Sequence, residues 1–258
     1  MDRNLNGWFT EMSPMWPGQA TSLKVKEILL HKKSKFQDIK IFESTDYGRV
    51  LLLDGIIQAT ERDEAAYQEM ITFLPLNSHP NPEKVLVVGG GDGGVLREMA
   101  KHPKVKEIYH CEIDEEVIAA CKEFIPSMAC GFDNPNIKSF TGDGAAFLEN
   151  TEEKFDIIIT DASDPVSGRR RCRNRTPANT LFNDEYYGKM KAKLRPGGIL
   201  CCQGENMWLH SELISHLMET CRKEYPVVDY AYTCVPTYPG GQIGFILCSL
   251  NKELNNIY

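Results

Sequence analysis

The chain has 258 residues, 42% of them hydrophobic, enough for one full core with a smaller module beside it. No apolar run approaches the roughly 18 residues of a membrane span, and polar Asp2, Arg3, Asn4 and Asn6 stand where a signal peptide needs an apolar stretch, so a cytoplasmic protein without a membrane partner is expected. A net charge of −7 argues against a nucleic-acid partner; nine cysteines without a C-x-x-C pair and six histidines without i, i+4 spacing predict reduced core thiols and no metal.

In chain order, residues 20–60 carry short alternating runs, Ile39–Phe42 and Val50–Leu53. They are broken by Asp46-Tyr47-Gly48 and Asp54-Gly55, the punctuation of hairpins. A small antiparallel sheet over residues 1–62 is expected, and residues 63–258 form a second, larger unit. A helix is predicted from Asp63 to Phe73, with Pro75, Pro80 and Pro82 marking a boundary.

Lys84–Val88, Ile108–Cys111, Ile137–Phe140, Phe155–Thr160 and Ile199–Gln203 read as buried strands. Helical stretches such as Val95–Lys101, Glu115–Phe124 and Asp184–Lys193 separate them. This alternation predicts an α/β, Rossmann-like, mostly parallel sheet. Val227–Cys234 and Ile243–Cys248 are joined by a connection too short for a crossover helix, which predicts an antiparallel edge pair.

Val85–Val88 runs into Gly89-Gly90-Gly91-Asp92-Gly93-Gly94 and then a helix, the context of a nucleotide loop. Glu112 ends the next strand, where a carboxylate accepts both ribose hydroxyls. Asp92 inside the loop would repel a pyrophosphate and favours a ligand cationic at that point, or it caps the following helix. Asp143, in Gly142-Asp143-Gly144, accepts from an adenine amino group or caps a helix in turn.

Asp161 and Asp164 follow the fourth strand. One takes a proton from an attacking nitrogen and the other pairs with a distant ammonium, or both sit in a solvated turn. NAD and S-adenosyl compounds both use such a glycine loop, and clustered carboxylates at one sheet edge repel unless a cation joins them.

Several strings are specific in combination: Tyr67–Met70, Val87–Met99, Cys111–Asp114, Gly142–Gly144, Asp161–Pro165, Cys201–Glu205 and Pro236–Phe245. Together, from Trp8 and Trp16–Gln19 to the last strand, they resemble the spermidine synthases. The resemblance implies an N-terminal β-sheet module, a methyltransferase-like Rossmann domain and a homodimer. It implies aminopropyl transfer from decarboxylated S-adenosylmethionine, a co-substrate, to putrescine, giving spermidine and methylthioadenosine with no cofactor and no metal. At matching positions Gln37, Gln68, Asp92, Glu112, Asp143 and Gly144 would bind the nucleotide. Tyr67, Asp161, Asp164, Gln203 and Tyr238 would surround the diamine, with Asp161 as catalytic base.

The sequence departs from the resemblance at Ser167–Thr176, where about nine extra residues include five arginines in the seven positions 169–175. A segment this charged is expected as an exposed loop, and Asn174-Arg175-Thr176 is a glycosylation pattern without use in the cytoplasm. Three readings of it stand: a solvated insertion, a regulatory or partner-binding loop, and impaired closure over the site. The alternative functions are a putrescine N-methyltransferase, whose donor carboxylate would face Asp92, a spermine synthase, and a weakly active scaffold.

Overall fold

The computed structural model describes residues 7–162, 181 and 184–254. The segment 163–180, with Asp164 and the arginine cluster, lies outside the described residues. Among those described, the strands form two sheets.

The first is an antiparallel meander of β1 (Trp8–Glu11), β2 (Thr21–Lys33), β3 (Asp38–Ser44), β4 (Arg49–Leu53) and β5 (Ile56–Thr60). Leu53 pairs with Ile56, so Asp54-Gly55 is a two-residue turn, and both residues have positive φ (51° and 79°). That is the backbone an Asp-Gly hairpin adopts, because its twist matches that of the strands. Alternation then splits the side chains: Val50 and Leu52 join Leu23, Phe42 and Ile57 on one face, and Leu51 joins Ile39 and Ile41 on the other. The second face packs on α3 (Glu115–Phe124) and α4 (Pro126–Ala129), which ties the meander to the rest of the chain.

The second sheet has strand order β11-β12-β10-β9-β6-β7-β8. The strands β6 (Lys84–Gly89), β7 (Glu107–Glu112), β8 (Ile137–Thr141), β9 (Phe155–Asp161) and β10 (Leu194–Gln203) run parallel. Antiparallel β12 (Gln242–Ser249) and β11 (Val227–Cys234) complete it as the expected edge pair. Helices cover both faces, so β6 and β9 are apolar on both: Val85, Val87, Ile157 and Ile159 face one core, Leu86, Val88 and Ile158 the other. Each such side chain contributes roughly 1.5–3 kcal/mol on burial, which makes this pair of strands the rigid base of the site.

The structure differs from the sequence reading at two elements. Helix α1 (Glu64–Ser78) continues past Pro75, since a proline in the last turn removes one backbone bond and the Ser78 hydroxyl donates to the Leu74 carbonyl at 2.7 Å. Strand β8 is expected as buried but is the sheet edge, and its Phe140 ring is exposed. No helix of the described residues is long and apolar enough to cross a membrane.

Chain direction decides where a ligand goes. From β6 the chain moves outward through β7 and β8, then returns to place β9 on the other side of β6. The crevice between the carboxyl ends of β6 and β9 is the switch point where such sheets bind ligands.

Candidate active site

At that switch point Gly89, the last residue of β6, pairs with Asp161, the last of β9. Gly89 has φ 86°, and a Cβ there would strike the Asp161 carbonyl oxygen, so only glycine fits. The Gly90 N–H donates to the same oxygen at 2.8 Å. Below the turn, buried His110 has Nε2 2.9 Å from the Gly89 oxygen and Nδ1 2.9 Å from Ser139 Oγ. Burial pushes its pKa down to about 4, so the neutral ring donates from Nε2 and accepts at Nδ1.

The nucleotide candidates Gln37, Asp92, Glu112, Asp143 and Gly144 line a cavity around this turn and form its nucleotide arm. Asp92 accepts the Gly94 N–H at 2.6 Å, at the start of α2 (Gly94–Met99), and Gln68 Nε2 at 3.1 Å. The N-cap of α2 is Gly93, so Asp92 stands one residue before the expected capping position and takes the first helical N–H from its place in the cavity wall. Gly94 lacks a side chain where one would strike the Gln68 amide, which lets Gln68 lie on the turn. Buried Gln68 Oε1 has no hydrogen-bond partner among the described residues.

Glu112 ends β7 and accepts the Asp114 N–H at 2.9 Å. Asp114 in turn accepts from Ser34 Oγ at 2.6 Å and from Gln37 Nε2 at 3.0 Å. The turn between β2 and β3 is thereby pinned to the larger sheet, with Gln37 in the cavity wall. Asp143 caps α5 (Gly144–Asn150) by accepting the Ala146 N–H at 3.0 Å and lines the cavity as well; Gly144 packs directly against Val88.

The second arm holds the acceptor candidates. The Tyr67 hydroxyl donates to Asp161 Oδ1 at 2.7 Å. The Tyr238 ring lies 6.0 Å from that of Tyr67, and its hydroxyl donates to the Gln58 carbonyl of β5 at 2.5 Å. Gln203, at the end of β10, lines the same arm. The expected site residues thus line one cavity, except Gln68, which stands behind Asp92 and donates to it, and Asp164, which lies outside the described residues.

Sequence reasoning gives no role to Glu11, Trp16 or Glu205. Trp16 and Glu205 also line the cavity, and Glu11 stands behind lining residue Ile57, whose N–H it accepts at 2.5 Å. Trp16 Nε1, Glu11 Oε1 and Glu205 Oε1 are buried without hydrogen-bond partners among the described residues. Glu205 sits at φ 63°, unusual for a side-chain-bearing residue, and is held by the Gly244 N–H and Tyr230 hydroxyl on its carbonyl. Its carboxylate lies 3.1 Å from His210 Nδ1. The available signal is its place just past a buried strand, at the edge where ligands collect.

Electrostatics mark the whole cavity as deficient in positive charge. Burial, then the charges of Asp92 and Glu112, push the Asp161 carboxyl up to about 7. Burial likewise raises Glu112 and Glu11 to about 7 and moves Asp92 upward. Two like charges 4 Å apart cost about 4 kcal/mol at an effective dielectric of 20. A cation entering either arm removes that cost.

A doubly wound sheet with a glycine turn and buried carboxylates gathered in one cavity at its switch point has the framework of a nucleoside-dependent transferase. Comparison with known proteins narrows the class. Residues 64–257 match the spermine/spermidine synthase domain, and residues 7–61 match the spermidine synthase tetramerisation domain. The chain is 55% identical to the spermidine synthase of Dictyostelium discoideum over 250 residues, covering 97% of this chain and 85% of that one. It is 51% identical to the spermidine synthase of Schizosaccharomyces pombe, over 97% of this chain and 81% of the relative. A spermidine synthase solved in complex with the transition-state analogue AdoDATO superposes with a TM-score of 0.90 at 30% identity, covering 98% of this chain and 84% of the other. The chain belongs to the spermine/spermidine synthase family.

Proposed function

We propose that this chain transfers the aminopropyl group of decarboxylated S-adenosylmethionine to putrescine, releasing spermidine and methylthioadenosine. The observation that carries the reading is Asp161. It sits at the switch point between the two arms, 2.7 Å from the Tyr67 hydroxyl, with its carboxyl raised to about 7.

Alkylamines have pKa values near 10, so putrescine arrives with both nitrogens protonated. The positive charges restore the ionised form of Asp161, and the Tyr67 hydrogen bond stabilises that carboxylate. Asp161 takes one proton from the attacking nitrogen. The freed lone pair attacks the aminopropyl carbon bonded to sulfur, the carbon–sulfur bonding pair moves to sulfur, and a neutral thioether leaves. The sulfonium is already a good leaving group, so the remaining demand is alignment, supplied by Tyr67, Tyr238 and Gln203.

Glu112 and Gln37 take the ribose side, Asp143 and Gly144 the base, and Asp92 with Gln68 the cationic aminopropyl end. We assign the distal ammonium of putrescine to Glu205, with Glu11 behind it. Asp164 is assigned to the acceptor on its place three residues beyond Asp161. An intact methionine carboxylate would stand against Asp92, which disfavours methyl transfer. With it we propose a cytoplasmic homodimer that uses no cofactor or metal, with residues 1–62 as a module on the catalytic unit 63–258.

Decarboxylated and intact S-adenosylmethionine, each supplied with putrescine or spermidine, are to be separated by product mass. Spermidine from the decarboxylated donor is expected. Methylputrescine, or no product from any pair, would overturn the assignment.

A further inference from the structure

We propose that Asp63 is a positioning residue for the acceptor arm, acting through Tyr238, whose loop it fastens to the N-terminal sheet. This rests on the aminopropyl-transfer reading above. Asp63 stands just before α1, where an aspartate ordinarily caps the helix by accepting a backbone N–H of its first turn. It makes no such bond.

Its carboxylate is turned across the molecule instead. Oδ1 accepts from the Thr60 hydroxyl of β5 at 2.7 Å, and Oδ2 accepts both the N–H of Thr237 at 2.9 Å and its hydroxyl at 2.8 Å. Asp63 and Thr237 are 174 positions apart, and Thr237 is 1% exposed. The fastening is therefore long-range and shielded from water.

Tyr238 is the next residue. Its hydroxyl donates to Gln58, in the same strand as Thr60 and likewise part of the cavity wall. On the other side of the loop, Asn206 Nδ2 donates to the carbonyls of Pro239 at 2.8 Å and Gln242 at 3.0 Å. Between these anchors Gly240 and Gly241 both have φ 68°, and the turn is closed internally by the N–H groups of Val235, Tyr238 and Gly241 on the carbonyls of Gly241, Val235 and Tyr238, so Asp63 sets where the turn sits and not its shape. Asp63 does not line the cavity, so its influence on a diamine must pass through the loop. The Tyr238 ring completes the wall beside Tyr67, the partner of Asp161.

Asp63→Ala and Asp63→Asn separate positioning from bulk stability. Asparagine can keep its oxygen on Thr237 and donate its amide to Thr60 Oγ1, so every contact survives a turn of one hydroxyl. We expect Asp63→Ala to raise the putrescine KM about tenfold, with methylthioadenosine affinity by calorimetry unchanged within about twofold, and Asp63→Asn to recover to within about threefold of wild type. An unchanged KM in Asp63→Ala, equal loss of nucleotide and diamine binding, or no recovery in Asp63→Asn would overturn the role. If Asp63→Ala does not fold, Thr237→Val, which loses only the hydroxyl bond, is expected to raise the putrescine KM about threefold, and no rise would overturn it. A wild type inactive with both substrates would overturn the reaction together with the role, whereas an active wild type with indifferent variants would overturn the role alone.

Discussion

The nucleotide arm and the acceptor arm of the cavity are built in opposite ways. The carboxylates of the first are held locally: Asp92, Glu112 and Asp143 each stand at or just beyond the end of a strand and bond to a backbone N–H two or three residues ahead. The second is assembled from distant pieces, with Tyr67 from α1, Asp161 from β9, Gln203 from β10, Tyr238 from the loop before β12 and Trp16 from beyond β1. Local geometry makes these carboxylates tolerant of disturbance elsewhere, with Gln37 the one piece of the nucleotide arm that reaches it from the first sheet, through Asp114; the acceptor arm depends far more on how distant elements are joined.

Substitutions in the two arms should therefore fall into separate kinetic classes. The largest effect is expected at the point shared by both. Asp161→Asn keeps the Tyr67 contact but cannot accept a proton, and kcat should fall about 10³-fold while methylthioadenosine still binds. Retained turnover in that variant would remove Asp161 as the base. Next, Glu112→Gln should weaken nucleotide binding about 100-fold and leave the putrescine KM nearly unchanged, because one carboxylate holding two hydroxyls has no local substitute. Glu205→Gln should do the reverse, raising the putrescine KM about tenfold with nucleotide affinity intact. If both variants moved both constants equally, the division into arms would be wrong.

The same division explains what could be read from the sequence. Asp54-Gly55 specifies its turn, the glycine run specifies a strand–turn–helix, and β6 and β9 are apolar on both faces, because each signal lies within a few residues. Glu112 was legible as a strand-end carboxylate for ribose, and Asp161 as one of two strand-end carboxylates whose division of roles came from the family resemblance. Glu11 was not legible, since a carboxylate on a short strand reads as solvent-facing, and only the packing of β1 against Ile57 turns it inward. Tyr67 and Tyr238 alone read as ordinary core aromatics; their 6.0 Å approach joins residues 171 positions apart. The extension of α1 beyond Pro75 was hidden because the tolerance of a last-turn proline depends on neighbours such as Ser78.

The smallest expected effect tests the charge deficit common to both arms. Asp161, Glu112 and Glu11 all titrate near 7 in the unliganded protein, above the ordinary carboxylate values of 3.8 for aspartate and 4.5 for glutamate. A carboxyl raised on folding favours the folded state in its protonated form. That contribution is complete below about pH 4, where the unfolded chain is also protonated, and is lost as pH rises through about 7. The unliganded protein should thus melt at a lower temperature at pH 8 than at pH 6. Putrescine binds the ionised form, so its affinity in the presence of methylthioadenosine should increase about fivefold over the same interval. Titration at pH 6.5 in two buffers of different ionisation enthalpy should show protons released on binding, because the diamine restores carboxylates that were protonated beforehand. Asp161→Asn should remove part of that release and Glu112→Gln much less of it, since Glu112 belongs to the nucleotide arm. Proton uptake, or equal losses in the two variants, would mean that the acceptor arm does not hold the charge deficit assigned to it.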